Sequence, residues 1–165
     1  MPYRPIIGTL GYVLSPEADR VLLIHRTRPG DHAFGKWNGL GGKLEDDEDV
    51  ASGMCREIRE EAGIEVTSLA LRGTVSWPGF GPDGEDWLGF IFVIDGWTGA
   101  PLDANDEGSL EWVPLEALTS DPPWLDLWPG DRWFLPLVFG PDSRPFHGIM
   151  PYADGQPVSW SYTRL

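Results

Sequence analysis

Residues 42–64 read GKLEDDEDVASGMCREIREEAGI and hold Glu57, Glu60 and Glu61 at i, i+3 and i+4. On a helix those offsets put three carboxylates on one face, within reach of a shared ion. Like charges at such spacings repel, and a shared cation removes that cost. Oxygen-only ligands select hard cations, Mg²⁺ first, with Mn²⁺ as a substitute. Such a cation suits diphosphate chemistry, because it bridges phosphate oxygens, neutralises developing charge and lowers the pKa of an attacking water. The bland alternative is a solvated acidic face in which Arg56 and Glu60 form an i,i+4 pair. The three glutamates by themselves leave both readings open.

The elements that must position these side chains are legible around them. A helix is expected over roughly Glu48 to Ala62, with Asp46 or Asp47 as N-cap and Gly63 as the C-terminal stop. Val50, Met54, Ile58 and Ala62 fall four apart, with Ala51 and Cys55 beside them, giving one apolar face. Cys55 is thereby expected to be a small buried hydrophobe and not a nucleophile. Upstream, Ile6–Leu14 and Arg20–His25 read as a hairpin turned at Ser15-Pro16. A basic loop, Arg26 to Lys36, leads to Trp37-Asn38-Gly39-Leu40-Gly41-Gly42. Downstream, Ile64–Trp77 and Trp87–Trp97 read as strands around the turn Pro78–Asp86, and Leu110–Val113 follows. After an irregular loop marked by Pro122-Pro123 and Pro129-Gly130, Asp131–Phe139 reads as a short helix. Phe146–Tyr152 and Val158–Tyr162 are β-like. Strands on both sides of one strong helix, with a later helix, predict an α/β fold whose mixed sheet is packed between helices. No stretch reads as a linker, so residues 1–165 are expected to form a single domain.

Composition narrows the partners. Of the 165 residues 41% are hydrophobic, with nine Trp and seven Phe, which fits a globular chain. A net charge of −14 disfavours a nucleic acid polymer, which needs clustered Lys and Arg. A small anionic substrate is compatible with that charge, because a bound divalent metal inverts the local field. The single cysteine excludes an intrachain disulfide and fits a reducing compartment. No run of about 18 apolar residues is present, so no membrane partner is expected. Ile6–Leu14 lacks a basic leader and a small-residue cleavage site and reads as a strand. A cytoplasmic location is the resulting expectation, and nothing in the chain specifies an oligomeric state. His25, His32 and His147 are scattered without a paired nucleophile, so a covalent triad is a poor rival and structural or surface roles are expected for them.

The full spacing decides between the two readings of the helix. Gly42, five residues, Glu48, seven residues, Arg56-Glu57-Ile58, one residue, Glu60-Glu61, one residue and Gly63-Ile64 match the Nudix box at every defined position. The chain thus resembles the Nudix hydrolases, which cleave nucleoside diphosphates linked to another group. The resemblance implies an α/β/α sandwich with a mixed β-sheet, divalent metal at the loop and helix, and water attacking a phosphorus of the diphosphate chain. It implies Glu57, Glu60 and Glu61 as metal ligands, one of them serving as base. Arg56 and Glu48 become the pair that shapes the loop and orients a ligand, and Gly41 offers a backbone carbonyl to metal.

Other segments resemble the branch that hydrolyses oxidised purine nucleoside triphosphates such as 8-oxo-dGTP. Residues 37–43 look like its entry to the box. Asp106-Glu107, with Trp112 five residues beyond, resembles its additional acidic metal ligand, here Glu107. Residues 127–134, LWPGDRWF, resemble its base-pocket segment, and Phe146-His147-Gly148 a later strand. The substrate-binding set carried over is Thr9, Arg26, Asn38, Leu40, Lys43, Trp128 and Asp131, with Thr9 and Arg26 near the base and phosphates. Asn38 would bond the base edge, its plainer reading being an Asn-Gly turn. Trp128 would stack on the purine, the plainer reading being ordinary packing. Asp131 would read the base's N–H edge, against a role as N-cap of the helix that follows. Lys43 suits loop structure better than acid catalysis.

In one place the chain departs from the branch: two adjacent acids follow its Trp-Pro, where this chain has Gly130-Asp131. Loss of the second carboxylate is expected to alter base discrimination, and Gly130→Asp to change the ratio of oxidised to normal purine turnover. The resulting expectation is an Mg²⁺-dependent pyrophosphohydrolase giving nucleoside monophosphate and pyrophosphate. The rivals are a Nudix hydrolase of ADP-ribose, a dinucleoside polyphosphate or a nucleotide sugar, and, remotely, a non-enzymatic nucleotide sensor.

Overall fold

Strand β1 (Ile6–Leu14) organises the sheet, because one of its edges is shared between two partners. Residues 8–11 pair antiparallel with β4 (Leu40–Lys43), and residues 13–14 pair antiparallel with β2 (Arg20–Arg26). Its other edge runs parallel to β6 (Trp87–Thr98) over eight residues, Ile6↔Trp87 to Val13↔Ile94. The computed structural model describes residues 1–165. Further strands are β3 (Trp37–Asn38), β5 (Glu65–Trp77), β7 (Ala104–Asn105), β8 (Gly108–Pro114), β9 (Phe146–Ile149), β10 (Tyr152–Ala153), β11 (Gln156–Pro157) and β12 (Ser161–Arg164). The helices are α1 (Val50–Ala62), α2 (Glu116–Thr119) and α3 (Asp131–Val138). The main sheet runs β12-β9-β5-β6-β1-β2-β8-β7, with β3 on β2 and β4 on β1; β10 and β11 form a separate hairpin.

Helices cover both faces of this mixed sheet. Met54, Ile58 and Ala62 of α1 pack on Val13, Leu22, Ile24, Leu40, Phe92, Ile94 and Leu110. On the opposite face Phe134, Leu135 and Val138 of α3, with Ala117 and Leu118 of α2, pack on Tyr12, Val21, Leu23, Val75, Ile91 and Val113. Strand β2 therefore buries Val21, Leu22, Leu23 and Ile24 in succession, the unbroken apolar run expected of a strand covered on both sides. No helix is long and apolar enough to cross a membrane.

Local chemistry corrects several boundaries. The N-cap of α1 is Asp49, not Asp46 or Asp47: its carboxylate accepts the Ser52 N–H and the Ser52 hydroxyl, at 2.9 and 2.8 Å. Asp46 and Asp47 instead form the turn before it. Gly63 ends the helix at φ 71°, the left-handed conformation that costs glycine least, with its N–H on the Arg59 carbonyl. Cys55 is only partly buried, and burial pushes its thiol up, away from thiolate chemistry. The run Phe146–Tyr152 breaks at Met150-Pro151, since proline brings no N–H to a ladder. The last strand starts at Ser161 and excludes Val158.

Candidate active site

The loop before α1 is held to the helix by one arginine. Arg56 forks onto Glu48, Nε to Oε2 at 2.9 Å and Nη2 to Oε1 at 2.6 Å. Nη2 also donates to the Lys43 carbonyl at 3.3 Å, and Glu48 Oε1 accepts the Glu45 N–H at 2.9 Å. These bonds lower the Glu48 carboxyl to about 2, the Arg56 guanidinium being the largest cause. Its Nη1 reaches Glu57 Oε1 at 3.0 Å and Glu60 Oε2 at 3.2 Å. Arg56 thus hydrogen-bonds three carboxylates, with Glu45 a fourth at 3.9 Å.

One turn along, Glu57, Glu60 and Glu61 line a shallow recess with Glu107, Asp106, Asn105 and Arg28. Glu61 Oε2 accepts the Gly41 N–H at 3.1 Å. Burial, then the charges of Glu107 and Glu57, push the Glu61 carboxyl up to about 8. Burial likewise raises Glu57 against the pull of Arg56. As they stand, no three of these side chains are close enough together to hold a metal ion. The donor chemistry nevertheless fits a hard divalent cation: oxygen donors only, with a crowded carboxylate whose charge no arginine meets directly.

A deeper cavity of about 240 Å³ opens where the edge of β1 divides. Glu61 and Glu107 belong to its wall as well as to the recess. Its other walls are largely apolar and aromatic: Leu10, Ile24, Trp77, Phe80, Trp87, Trp128 and Tyr152. Phe80 meets Trp128 edge-on at 5.1 Å, and Lys36 Nζ lies 5.8 Å from the Trp128 ring. Three polar groups stand among them with bonding capacity unspent. Thr9 Oγ1 is buried without a partner. Asn38 Oδ1 accepts the Gly39 N–H at 3.0 Å, leaving its amide nitrogen to donate. Asp131 is buried at 6% exposure, and burial lifts its carboxyl to about 8 although Lys36 pulls it down.

The fold brings most of the sequence-derived residues to these two spaces. Thr9, Arg26, Asn38, Gly41, Trp128 and Asp131 line the cavity, Glu57 and Glu60 the recess, and Glu61 and Glu107 both. Arg26 is already engaged by Asp31 at 2.9 Å and by Glu107 at 3.1 Å. Leu40 is a correction: its side chain is fully buried in the α1-side core, away from the cavity. Lys43 lies outside both linings with Nζ over Trp87 at 5.8 Å, while its carbonyl serves Arg56. Asp131 occupies the first turn of α3 and makes no capping bond, Gly130 holding the N-cap position. A side chain at Gly130 would run into Met150 and the Tyr152 hydroxyl, so Gly130→Asp repacks the floor of the cavity and is no clean test of the missing acid.

Trp77, Phe80, Trp87, Tyr152 and His32 also line the cavity and were not singled out by the sequence. They come from β5, β6, β10 and two loops, and nothing in their spacing joins them. The only available signal was the density of tryptophans, which packing explains equally well.

Comparison with known proteins identifies the family. The NUDIX domain model matches residues 5–137. The oxidized purine nucleoside triphosphate hydrolase of Mus musculus is 34% identical over 91% of this chain and 88% of its own length. An uncharacterized Nudix hydrolase of Bacillus subtilis is 31% identical over 81% of this chain and 80% of its own. The crystal structure of a MutT protein from Bacillus halodurans superposes with a TM-score of 0.78 at 28% identity, covering 95% of this chain and 97% of that one. Domain match, identity and fold converge with the carboxylate-bearing helix: the chain belongs to the Nudix family of hydrolases.

Proposed function

We propose that this Nudix hydrolase is an Mg²⁺-dependent pyrophosphohydrolase of purine nucleoside triphosphates, oxidised purines among them, releasing nucleoside monophosphate and pyrophosphate. The observation that carries the reading is that Glu61 and Glu107 line both the aromatic cavity and the acidic recess. A base held in the cavity has its phosphates delivered to the carboxylates. Nudix hydrolases use divalent metal ions, and here Glu57, Glu60, Glu61, Glu107 and the Gly41 carbonyl would hold one. When bound, the metal supplies charge neutralisation on the diphosphate and a more acidic water.

The chain's own residues do the rest. Trp128 offers a face for the purine, worth about 1–3 kcal/mol per stacked base. Thr9, Asn38 and Asp131 offer a hydroxyl, an amide donor and a neutral carboxyl to its edge. Glu61, which lines both spaces, is the candidate among the three glutamates to take a proton from the attacking water. Arg56 keeps the loop on the helix and holds Glu57 and Glu60 in reach. The relative from Mus musculus bears a name for the same substrate class, which supports the reading.

The test is product analysis: the purified protein, 8-oxo-dGTP and Mg²⁺, resolved by anion exchange. The reading expects 8-oxo-dGMP and pyrophosphate in equal amounts, abolished by chelator. Release of inorganic phosphate, or no turnover, overturns it.

A further inference from the structure

Behind the cavity wall, the backbone of Gly130 meets the Tyr152 hydroxyl and the Met150 side chain. A Cβ on residue 130 would stand 2.8 Å from the Tyr152 hydroxyl and would collide with Met150 Sδ. A side chain at 130 would therefore have to displace Met150 and crowd the phenol, and glycine there leaves the Tyr152 hydroxyl its place. The Gly130 N–H donates to Tyr152 Oη at 3.1 Å in the buried interior, which aims the phenol and uses one acceptor position. Phe80 holds the Tyr152 ring edge-on at 5.0 Å and 80°. A phenol also donates, and the only hydrogen bond Tyr152 Oη makes within the protein is the one it accepts. The residue lines the cavity. Burial, and then the nearby Asp131 carboxyl, push its own pKa up, so the O–H keeps its proton at working pH.

We infer that Tyr152 determines base specificity: its O–H donates to an acceptor atom, a carbonyl oxygen or an unprotonated ring nitrogen, on the edge of the bound purine. The inference rests on the cavity being the base pocket. A ligand that lacks the acceptor leaves a buried donor unpaired, and sites of that kind reject such ligands far better than apolar pockets reject a change of size. Asp131 is the titratable group that acts on Tyr152. An O–H turned onto that carboxyl instead would make the base's acceptors irrelevant, and this is the outcome the experiment must separate.

The experiment measures kcat and KM for the triphosphates of 8-oxoguanine, guanine, 2-aminopurine (no 6-oxo group) and 7-deazaguanine (no N7), with the wild type and Tyr152→Phe. The expected result is a loss of about tenfold or more in wild-type kcat/KM for one acceptor deletion. Tyr152→Phe should lose nothing further with that base, nor with 8-oxoguanine where N7 is the acceptor, since 8-oxoguanine is protonated there, and its losses with the remaining bases should fall on KM. Parallel losses for all four bases, with wild-type turnover intact, overturn the role of Tyr152 and leave the base pocket standing. A wild type that hydrolyses none of them overturns the base-pocket reading and this one together. Should Tyr152→Phe fail to fold, 3-fluorotyrosine at position 152 keeps ring and hydroxyl while making the O–H a stronger donor. It should change KM severalfold for acceptor-bearing bases only, and an equal change for all bases overturns the proposal.

Discussion

Glu61 Oε2 accepts the Gly41 N–H at 3.1 Å, pinning to strand β4 a carboxylate that faces both the aromatic cavity and the acidic recess. The bond joins the helix that carries the charges to the strand that borders the pocket. On the proposed reading, that bond ties the groups for chemistry to those for recognition, which fits a reaction sensitive to small misplacements.

Glu61→Gln removes the charge and keeps the shape. Turnover is expected to fall about 100-fold or more, in line with losses of a single group acting on developing charge. The metal-free protein should melt no lower than the wild type at about pH 7, because a carboxyl raised to about 8 is already mostly neutral there and glutamine keeps its shape. Equal turnover in the two proteins would take this carboxylate out of the mechanism.

Arg56→Lys keeps the charge and loses the fork. A lysine cannot make the paired bonds to Glu48 while reaching Glu57 and Glu60. The expected result is a drop of about tenfold or more in kcat with a smaller change in melting temperature, since lysine keeps the charge among these part-buried carboxylates. A KM effect without a kcat effect would place the arginine on substrate instead.

Trp128 and Leu40 should part company under alanine substitution. Trp128→Ala is expected to raise KM for purine triphosphates about 5- to 100-fold, the equivalent of one lost stack. Leu40→Ala should cost about 2–5 kcal/mol of stability and leave KM alone, because its side chain fills the core. Urea unfolding and steady-state kinetics on both variants separate the roles.

Stability should carry the mark of Asp131. Its carboxyl lies at about 8 when folded against an ordinary 3.8, so folding takes up a proton between those values. The sign follows from linkage: the folded state binds more protons there, so stability falls as pH rises through that window. Glu61, also raised to about 8, adds a contribution of the same sign. Asp131→Asn should flatten the decline of melting temperature between about pH 4 and pH 8 in metal-free buffer. Superposable wild-type and variant curves would mean that Asp131 is not held neutral.

What the sequence made legible is what fixed spacing encodes. Glu57, Glu60 and Glu61 share a helix face by geometry alone, and the alternation and turn residues placed β1, β2, β5, β6 and α1 within a few residues. The N-cap moved from Asp46 or Asp47 to Asp49 because capping depends on which backbone actually turns into the helix. Leu40 was misassigned because a short strand points neighbouring side chains to opposite sides, and the motif does not say which side is the core. The cavity's aromatic wall was invisible, since Trp77, Phe80, Trp87 and Tyr152 meet only after β5, β6 and β10 have folded together. Gly130 reads in sequence as a missing acid; in three dimensions its backbone packs against Met150 and donates to the Tyr152 hydroxyl, leaving no room for a side chain.

The most direct test of the central claim, one base pocket feeding one carboxylate site, is a comparison of kcat/KM with Mg²⁺ across 8-oxo-dGTP, 2-hydroxy-dATP, dGTP, ADP-ribose and a dinucleoside tetraphosphate. The account predicts that the purine triphosphates lead, each yielding monophosphate and pyrophosphate. Preference for ADP-ribose or the dinucleotide would leave the carboxylate helix in place and contradict the assignment of the cavity.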